Sequence, residues 1–143
     1  MTPDVNVLVA SARADHPHHQ PAYSWLMAAL AGTTRGARLA LLPMVATGFV
    51  RVVTQRRIFP VPTPASEAVA FVGAVLDGGA TMLSLAGEWS GFSALCNEHG
   101  LVAGDVTAAW IAASVRSHHE HLVTFDRGFR RFLRTGELTV LKP

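Results

Sequence analysis

Leu122-Val123-Thr124-Phe125-Asp126-Arg127-Gly128-Phe129 is the stretch whose reading decides the fold. Its first four residues are apolar or β-branched and read as a short buried strand over 122–125. An aspartate follows directly. In open α/β sheets, ligands gather at the carboxyl ends of strands and at the helix starts beside them. Asp126 therefore stands where a ligand is expected, although an aspartate after a strand is also an ordinary turn residue.

Working outward, the rest of the chain alternates strand-like and helix-like segments. Residues 5–10 are β-branched and apolar and read as a buried N-terminal strand, opened by Asp4. A polar loop over 13–20 precedes a helix at 21–30. A short strand at 39–42 precedes a helix at 44–54, with Gly48 its weak spot. The plainest helix begins near Pro64: Thr63 can cap it and Pro64 suits its first position. Ala68, Phe71, Val72, Val75 and Leu76 form its 3.6-period stripe, and Gly78-Gly79 ends it. Residues 81–85 read as a strand. Trp89, Phe92, Leu95 and Cys96 mark a helical face stopped by Gly100. A helix at 105–117 and a strand at 138–141 complete the pattern. Such alternation predicts one domain over 1–143, an α/β sandwich with a mainly parallel sheet.

Composition narrows the class. The chain has 143 residues, enough for one core; half are hydrophobic and 15% charged, which excludes a disordered tail. Mean hydropathy is positive, but the longest apolar run, 39–50, contains Pro43, Thr47 and Gly48 and is closed by Arg51. That excludes a spanning helix of about 20 apolar residues. The N-terminus lacks the basic start of a signal peptide, and the single cysteine, Cys96, permits no intrachain disulfide. A cytoplasmic location fits both. Net charge is +2, yet eleven of the twelve basic residues are arginine. The guanidinium fork matches phosphate; a GC-rich genome would produce the same bias.

Three aspartates occupy special positions. Asp126 follows a strand, Asp105 starts a helix as cap or ligand, and Asp4 opens the first strand. Carboxylates sharing a cleft repel one another unless a cation lies among them. Oxygen donors without His or Cys suit Mg²⁺ or Mn²⁺. Such ions hold phosphate oxygens and activate water, so no protein nucleophile is required. Asp4 fits poorly, because this reading puts it at the wrong end of its strand. Neither G-x-x-x-x-G-K, G-x-G-x-x-G nor G-x-S-x-G occurs.

Taken in order, four segments resemble the PIN-domain family, in particular the VapC toxins of type II toxin–antitoxin systems. Asp4-Val5-Asn6-Val7-Leu8 resembles the opening D-x-N/S segment. Gly48-Phe49-Val50-Arg51-Val52-Val53-Thr54 resembles the helix after the second strand. Gly104-Asp105-Val106-Thr107-Ala108-Ala109 is similar to the D-A-x-x-A-A helix start, and 122–129 to the L-V-T-x-D-x-D-F segment. The resemblance implies a PIN-like three-layer α/β/α sandwich. It implies a Mg²⁺ or Mn²⁺ site made by Asp4, Asp105 and Asp126, supported by Asn6 and Thr124. It further implies endonucleolytic cleavage of tRNA or ribosomal RNA, a cognate VapB-type antitoxin, and a homodimer. It also places Asp4 in the cleft.

Two departures from the family pattern matter. The usual Glu on the helix after the second strand is matched nearest by Gly48, and no acid lies between Asp15 and Glu67. The second late Asp is Gly128. Weak metal affinity in the free protein follows, since each missing carboxylate removes charge that holds a cation. A PIN-like module that binds antitoxin and RNA without efficient cleavage is the alternative. An unrelated flavodoxin-like domain performing phosphoryl transfer is a third reading, opposed by the lack of a well-placed lysine: Lys142 stands at the extreme end.

Arg127, Arg130, Arg131 and Arg134 crowd after Asp126, and Arg51, Arg56 and Arg57 form a second group. Either is an RNA-backbone contact or a solvated basic face. His16, His18 and His19, and His118, His119 and His121, lie in loops. They suit acid–base work near a site better than a zinc site, having no cysteine beside them. Trp25, Trp89 and Trp110 read as core or dimer-interface residues, and Cys96 as core.

Overall fold

In a computed structural model, described over residues 1–84, 87–99 and 104–142, the chain enters as strand β1 (Thr2–Pro3) and turns at once into helix α1 (Val5–Ala12). Asp4 makes the turn. Its backbone is extended (φ −84°, ψ 167°) and its carboxylate accepts the Val5 N–H, the action of an N-cap. Residues 5–10 are therefore helix, correcting the strand expected there. The reason is burial on nearly every side. Val7, Leu8, Val9, Ala10 and Ser11 are buried, and α1 packs on α2 (His19–Thr33), α3 (Pro43–Val53) and strand β4 (Leu122–Thr124). A short helix that is apolar all round has the same sequence signature as a buried strand. The change moves Asp4 from the start of a strand to the carboxyl end of one.

The remaining strands and α-helices are β2 (Ala40–Leu41), α4 (Ala65–Asp77), β3 (Thr81–Met82), α5 (Glu88–His99), α6 (Gly104–Ser117) and β5 (Leu138–Val140), with short 3-10 turns at Arg127–Arg131 and Thr135–Glu137. Every registered strand pair is parallel: β1 with β4, β4 with β5, and β2 with β3. The register sets Thr2 against Leu122 and Leu122 against Leu138. The two groups of strands adjoin where the Ala40 N–H donates to the Met1 carbonyl at 2.8 Å. Across the fold the order runs β3, β2, β1, β4, β5, so the winding reverses between β1 and β4. That switch point is where an open α/β sheet leaves a crevice beyond its strand ends.

The strands are shorter than expected, and the boundaries of α4 differ. Pro64 is the residue preceding the helix (φ −56°, ψ 143°) and not its first turn. The Thr63 hydroxyl, expected to cap, instead accepts from Arg13 Nη1. Leu85 and Gly100 lie outside the described residues. The core holds Phe49, Phe132, Leu8, Leu26, Leu41, Leu42 and Leu122, all fully buried, each contributing about 1.5–3 kcal/mol of apolar transfer. Trp89 does not belong to it: 68% exposed, it forms a surface aromatic group with Phe92 and Trp110. Trp25 is half-buried against the core, and Cys96 is half-buried. Among the described residues no helix is long and apolar enough to cross a membrane.

The first residue is pinned. Buried Glu120 takes the N-terminal ammonium at 3.0 Å on Oε2 and Arg38 Nε at 2.7 Å on Oε1. Two cations on one buried carboxylate offset its desolvation and hold β1, hence Asp4, in place.

Candidate active site

At the switch point a closed set of hydrogen bonds joins the ends of β1 and β4. The Thr124 hydroxyl donates to Asp4 Oδ2 at 2.6 Å. It accepts from Asn6 Nδ2 at 2.9 Å and from the Asp126 N–H at 3.0 Å, which uses its one proton and both lone pairs. Asn6 Nδ2 also donates to Asp4 Oδ2 at 2.9 Å, and Asn6 Oδ1 accepts the Phe125 N–H at 3.1 Å. The expected supporting pair, Asn6 and Thr124, thus lies directly on Asp4. Such fully satisfied networks are rigid and expensive to break in part.

Asp4 is buried, and burial pushes its carboxyl above the ordinary 3.8; the nearby Asp126 charge pushes the same way, while the bonds from Thr124, Val5 and Asn6 oppose both. Asp126 is exposed, and its Oδ1 accepts the Gly128 N–H at 2.7 Å. The fold therefore brings Asp4 and Asp126 together. Asp105 stands in the first turn of α6, and its Oδ1 is engaged by Arg131 Nη2. Among the described residues no three His, Cys, Asp or Glu side chains converge as a metal-binding group. The donors at hand are all oxygen, and a buried carboxylate beside a second one is electrostatically short of a cation. By the chemistry of its donors the site fits a hard divalent ion.

The two positions lacking the usual acid differ: Gly48 is packed against a neighbouring helix residue, while exposed Gly128 is crowded only by the Asp126 carboxylate. A Cβ built on Gly48 would lie 2.9 Å from Val5 Cγ2, and one on Gly128 would lie 2.9 Å from Asp126 Oδ1. At Gly48 the obstacle is a β-branched side chain on the residue after Asp4, with little rotamer freedom in a helix.

One hollow opens on Asp4, and a second reaches the aspartates only through Arg131 and its partner Asp105. A cleft of about 450 Å³ is lined by Asp4, Asn6 and His16 together with Val9, Val52, Ile58 and Phe59. His16 Nδ1 accepts the His18 N–H at 3.1 Å, and burial, helped by the neighbouring His18, lowers the His16 imidazole below its ordinary 6.5. Sequence placed His16 only in a loop near the site; Ile58 and Phe59 carried no signal, because their segment has no periodicity. The second hollow, about 760 Å³, is lined by Arg116, Arg130, Arg131 and Arg134 beside Phe132 and the β5 residues Leu138 and Val140. Arg116 joins from α6, a contribution the spacing did not reveal. Of the expected RNA contacts, Arg130 and Arg131 line this basic hollow. Arg127 and Arg51 are exposed and line neither.

Comparison with known proteins gives a consistent answer. A family profile described as PIN domain matches residues 1–134. The chain is 38% identical over 133 residues to the VapC ribonuclease Mb2897 of Mycobacterium bovis, covering 92% of this chain and 88% of that relative. Ribonuclease VapC31 of Mycobacterium tuberculosis is 34% identical over 137 residues, 90% of each chain. Ribonuclease VapC37 of the same species is 30% identical over 131 residues, covering 90% and 89%.

Proposed function

This chain belongs to the PIN-domain family, and on that premise we propose that it is a divalent-metal-dependent endoribonuclease toxin of the VapC type. The observation that carries the reading is the Asp4–Thr124–Asp126 arrangement: one hydroxyl that donates to the buried Asp4 carboxylate and accepts the backbone N–H of exposed Asp126, at the switch point of a parallel sheet. Asp4 and Asp126 are the residues to hold the ion, Mg²⁺ or Mn²⁺, with Asp105 joining when Arg131 releases it. The bound ion supplies neutralisation of phosphate oxygens and acidification of water for in-line attack. Asn6 and Thr124 orient Asp4. Arg131, which holds Asp105, receives the RNA backbone together with Arg130, Arg134 and Arg116 of the same hollow, with Arg127 and Arg51 as outlying contacts.

Structured cellular RNA, tRNA or ribosomal, is the substrate class, and its cleavage would stop translation and growth. A cytoplasmic setting and a cognate VapB-type antitoxin complete the reading. The apolar groove of about 460 Å³ between α3 and α4, lined by Ala46, Val50, Val69, Val72 and Leu76, supports such a partner. The exposed aromatic group at Trp89 supports a homodimer.

A specific observation favours a second reading, a weakened nuclease that binds RNA and antitoxin without efficient cleavage. Asp105 is neutralised by Arg131 and Gly48 is packed against Val5. A gel assay on structured RNA with Mn²⁺ separates the two. Cleavage by the wild type that is lost in Asp4→Ala supports the enzyme; equal cleavage by both proteins sinks it; no cleavage by either favours the binding module.

A further inference from the structure

The cleft beside Asp4 has a mixed lining. Asp4, Asn6 and His16 are its polar residues; Val9, Val52, Ile58 and Phe59 are apolar. A phosphate needs only the polar ones. Ile58, 49% exposed, is apolar surface that a planar apolar group entering the cleft can cover.

The apolar wall is held from behind. At the end of α1, the Arg13 guanidinium donates to the Val61 carbonyl and to Thr63 Oγ1, both at 3.0 Å. It lies 4.3 Å from the Phe59 ring centroid, and Asp15 grips it at 2.9 and 2.6 Å. One side chain thus straps the segment after α3 to the loop after α1, so the slot is preformed. Among the polar lining residues, His16 accepts the His18 N–H on Nδ1. The neutral ring then carries its proton on Nε2, the nitrogen left to donate to a ligand.

In RNA the planar apolar part is the base, and a base within a duplex is stacked out of reach of such a slot. We propose, building on the ribonuclease reading, that this cleft receives one unstacked nucleobase next to the phosphate at Asp4. Ile58 and Phe59 cover the base and His16 Nε2 donates to its edge.

A short single-stranded RNA of mixed sequence tests this, with versions carrying one abasic position moved stepwise along it. Each is titrated by fluorescence anisotropy against the wild type and Ile58→Ala, with chelator present so that no strand is cut. One abasic position should weaken wild-type binding about tenfold, the scale of one stacked base. Ile58→Ala should bind the intact strand about tenfold more weakly and be insensitive at that position. Uniform insensitivity of the wild type, or unchanged sensitivity in Ile58→Ala, overturns the slot. Incubating the same intact RNA with wild type and Mn²⁺ keeps the readings apart. Cleavage without abasic sensitivity sinks the slot alone, sensitivity without cleavage sinks the nuclease alone, and absence of any binding sinks both.

Discussion

The Thr124 hydroxyl donates to Asp4 Oδ2 at 2.6 Å, a bond between residues 120 positions apart in the chain. The same oxygen accepts the Asp126 N–H at 3.0 Å. One side chain therefore sets the buried carboxylate and the backbone of the exposed one, and the spacing of the two aspartates depends on it.

Thr124→Val keeps the shape and removes the hydroxyl. It leaves the Asp126 N–H without its acceptor and Asp4 without its shortest donor, at a cost of about 1–3 kcal/mol. Urea denaturation should show that loss, and Mn²⁺-dependent RNA cleavage should fall with it. Thr124→Ser should retain both; a Val variant as stable and active as the wild type would refute the role.

Asp4 carries a pH signature. Burial raises its folded-state pKa above the ordinary 3.8. Its contribution to stability is thus fully present below that value and is lost as pH rises through the raised folded-state pKa. Once ionised, the buried carboxylate costs the fold that stability. The wild type should therefore lose melting temperature as pH rises through that raised value. Asp4→Asn keeps an N-cap oxygen but turns an amide N–H toward the Thr124 and Asn6 donors, so it should show a flatter pH dependence and no cleavage. A variant with the same pH dependence as the wild type would contradict this.

A divalent ion relieves the same repulsion. Millimolar Mn²⁺ should raise the wild-type melting temperature at neutral pH, chelator should reverse the rise, and Asp4→Asn should not respond. Calorimetry on the free protein should find affinity weaker than micromolar, in keeping with the acids missing at Gly48 and Gly128. Submicromolar Mg²⁺ binding without RNA would be the contrary result.

Restoring the missing acid at position 48 requires room. Gly48→Glu alone should cost about 1–3 kcal/mol by overpacking against Val5 and leave Mn²⁺ affinity unimproved. Gly48→Glu with Val5→Ala should recover part of that stability and tighten Mn²⁺ binding. Tightening by the single variant would show that Val5 yields freely.

Arg131 and Arg134 should separate by their effect on the metal. Arg131→Ala frees Asp105, so calorimetry should show tighter Mn²⁺ binding while RNA binding weakens. Arg134→Ala should weaken RNA binding with no change in the metal. Each should lower the slope of log affinity against log salt by about 0.7–0.9. Identical metal affinity in Arg131→Ala would mean that Asp105 plays no part at the site.

Sequence alone determined the alternation of helix and parallel strand, the carboxyl-end position of Asp126, the ordered motifs that place the chain among PIN domains, and the two absent acids. Those are local patterns and spacings, readable because each is carried by neighbouring residues. Tertiary structure decided that residues 5–10 are a helix, since burial from several sides erases the periodicity that separates helix from strand. The helix puts Asp4 at the carboxyl end of β1, within reach of Thr124. Long-range packing also decided that Arg131 holds Asp105, that Val5 fills the space at Gly48, and that Ile58, Phe59 and His16 share a cleft with Asp4. No one-dimensional pattern encodes those meetings, because each partner comes from a segment whose position is fixed only once the core has closed.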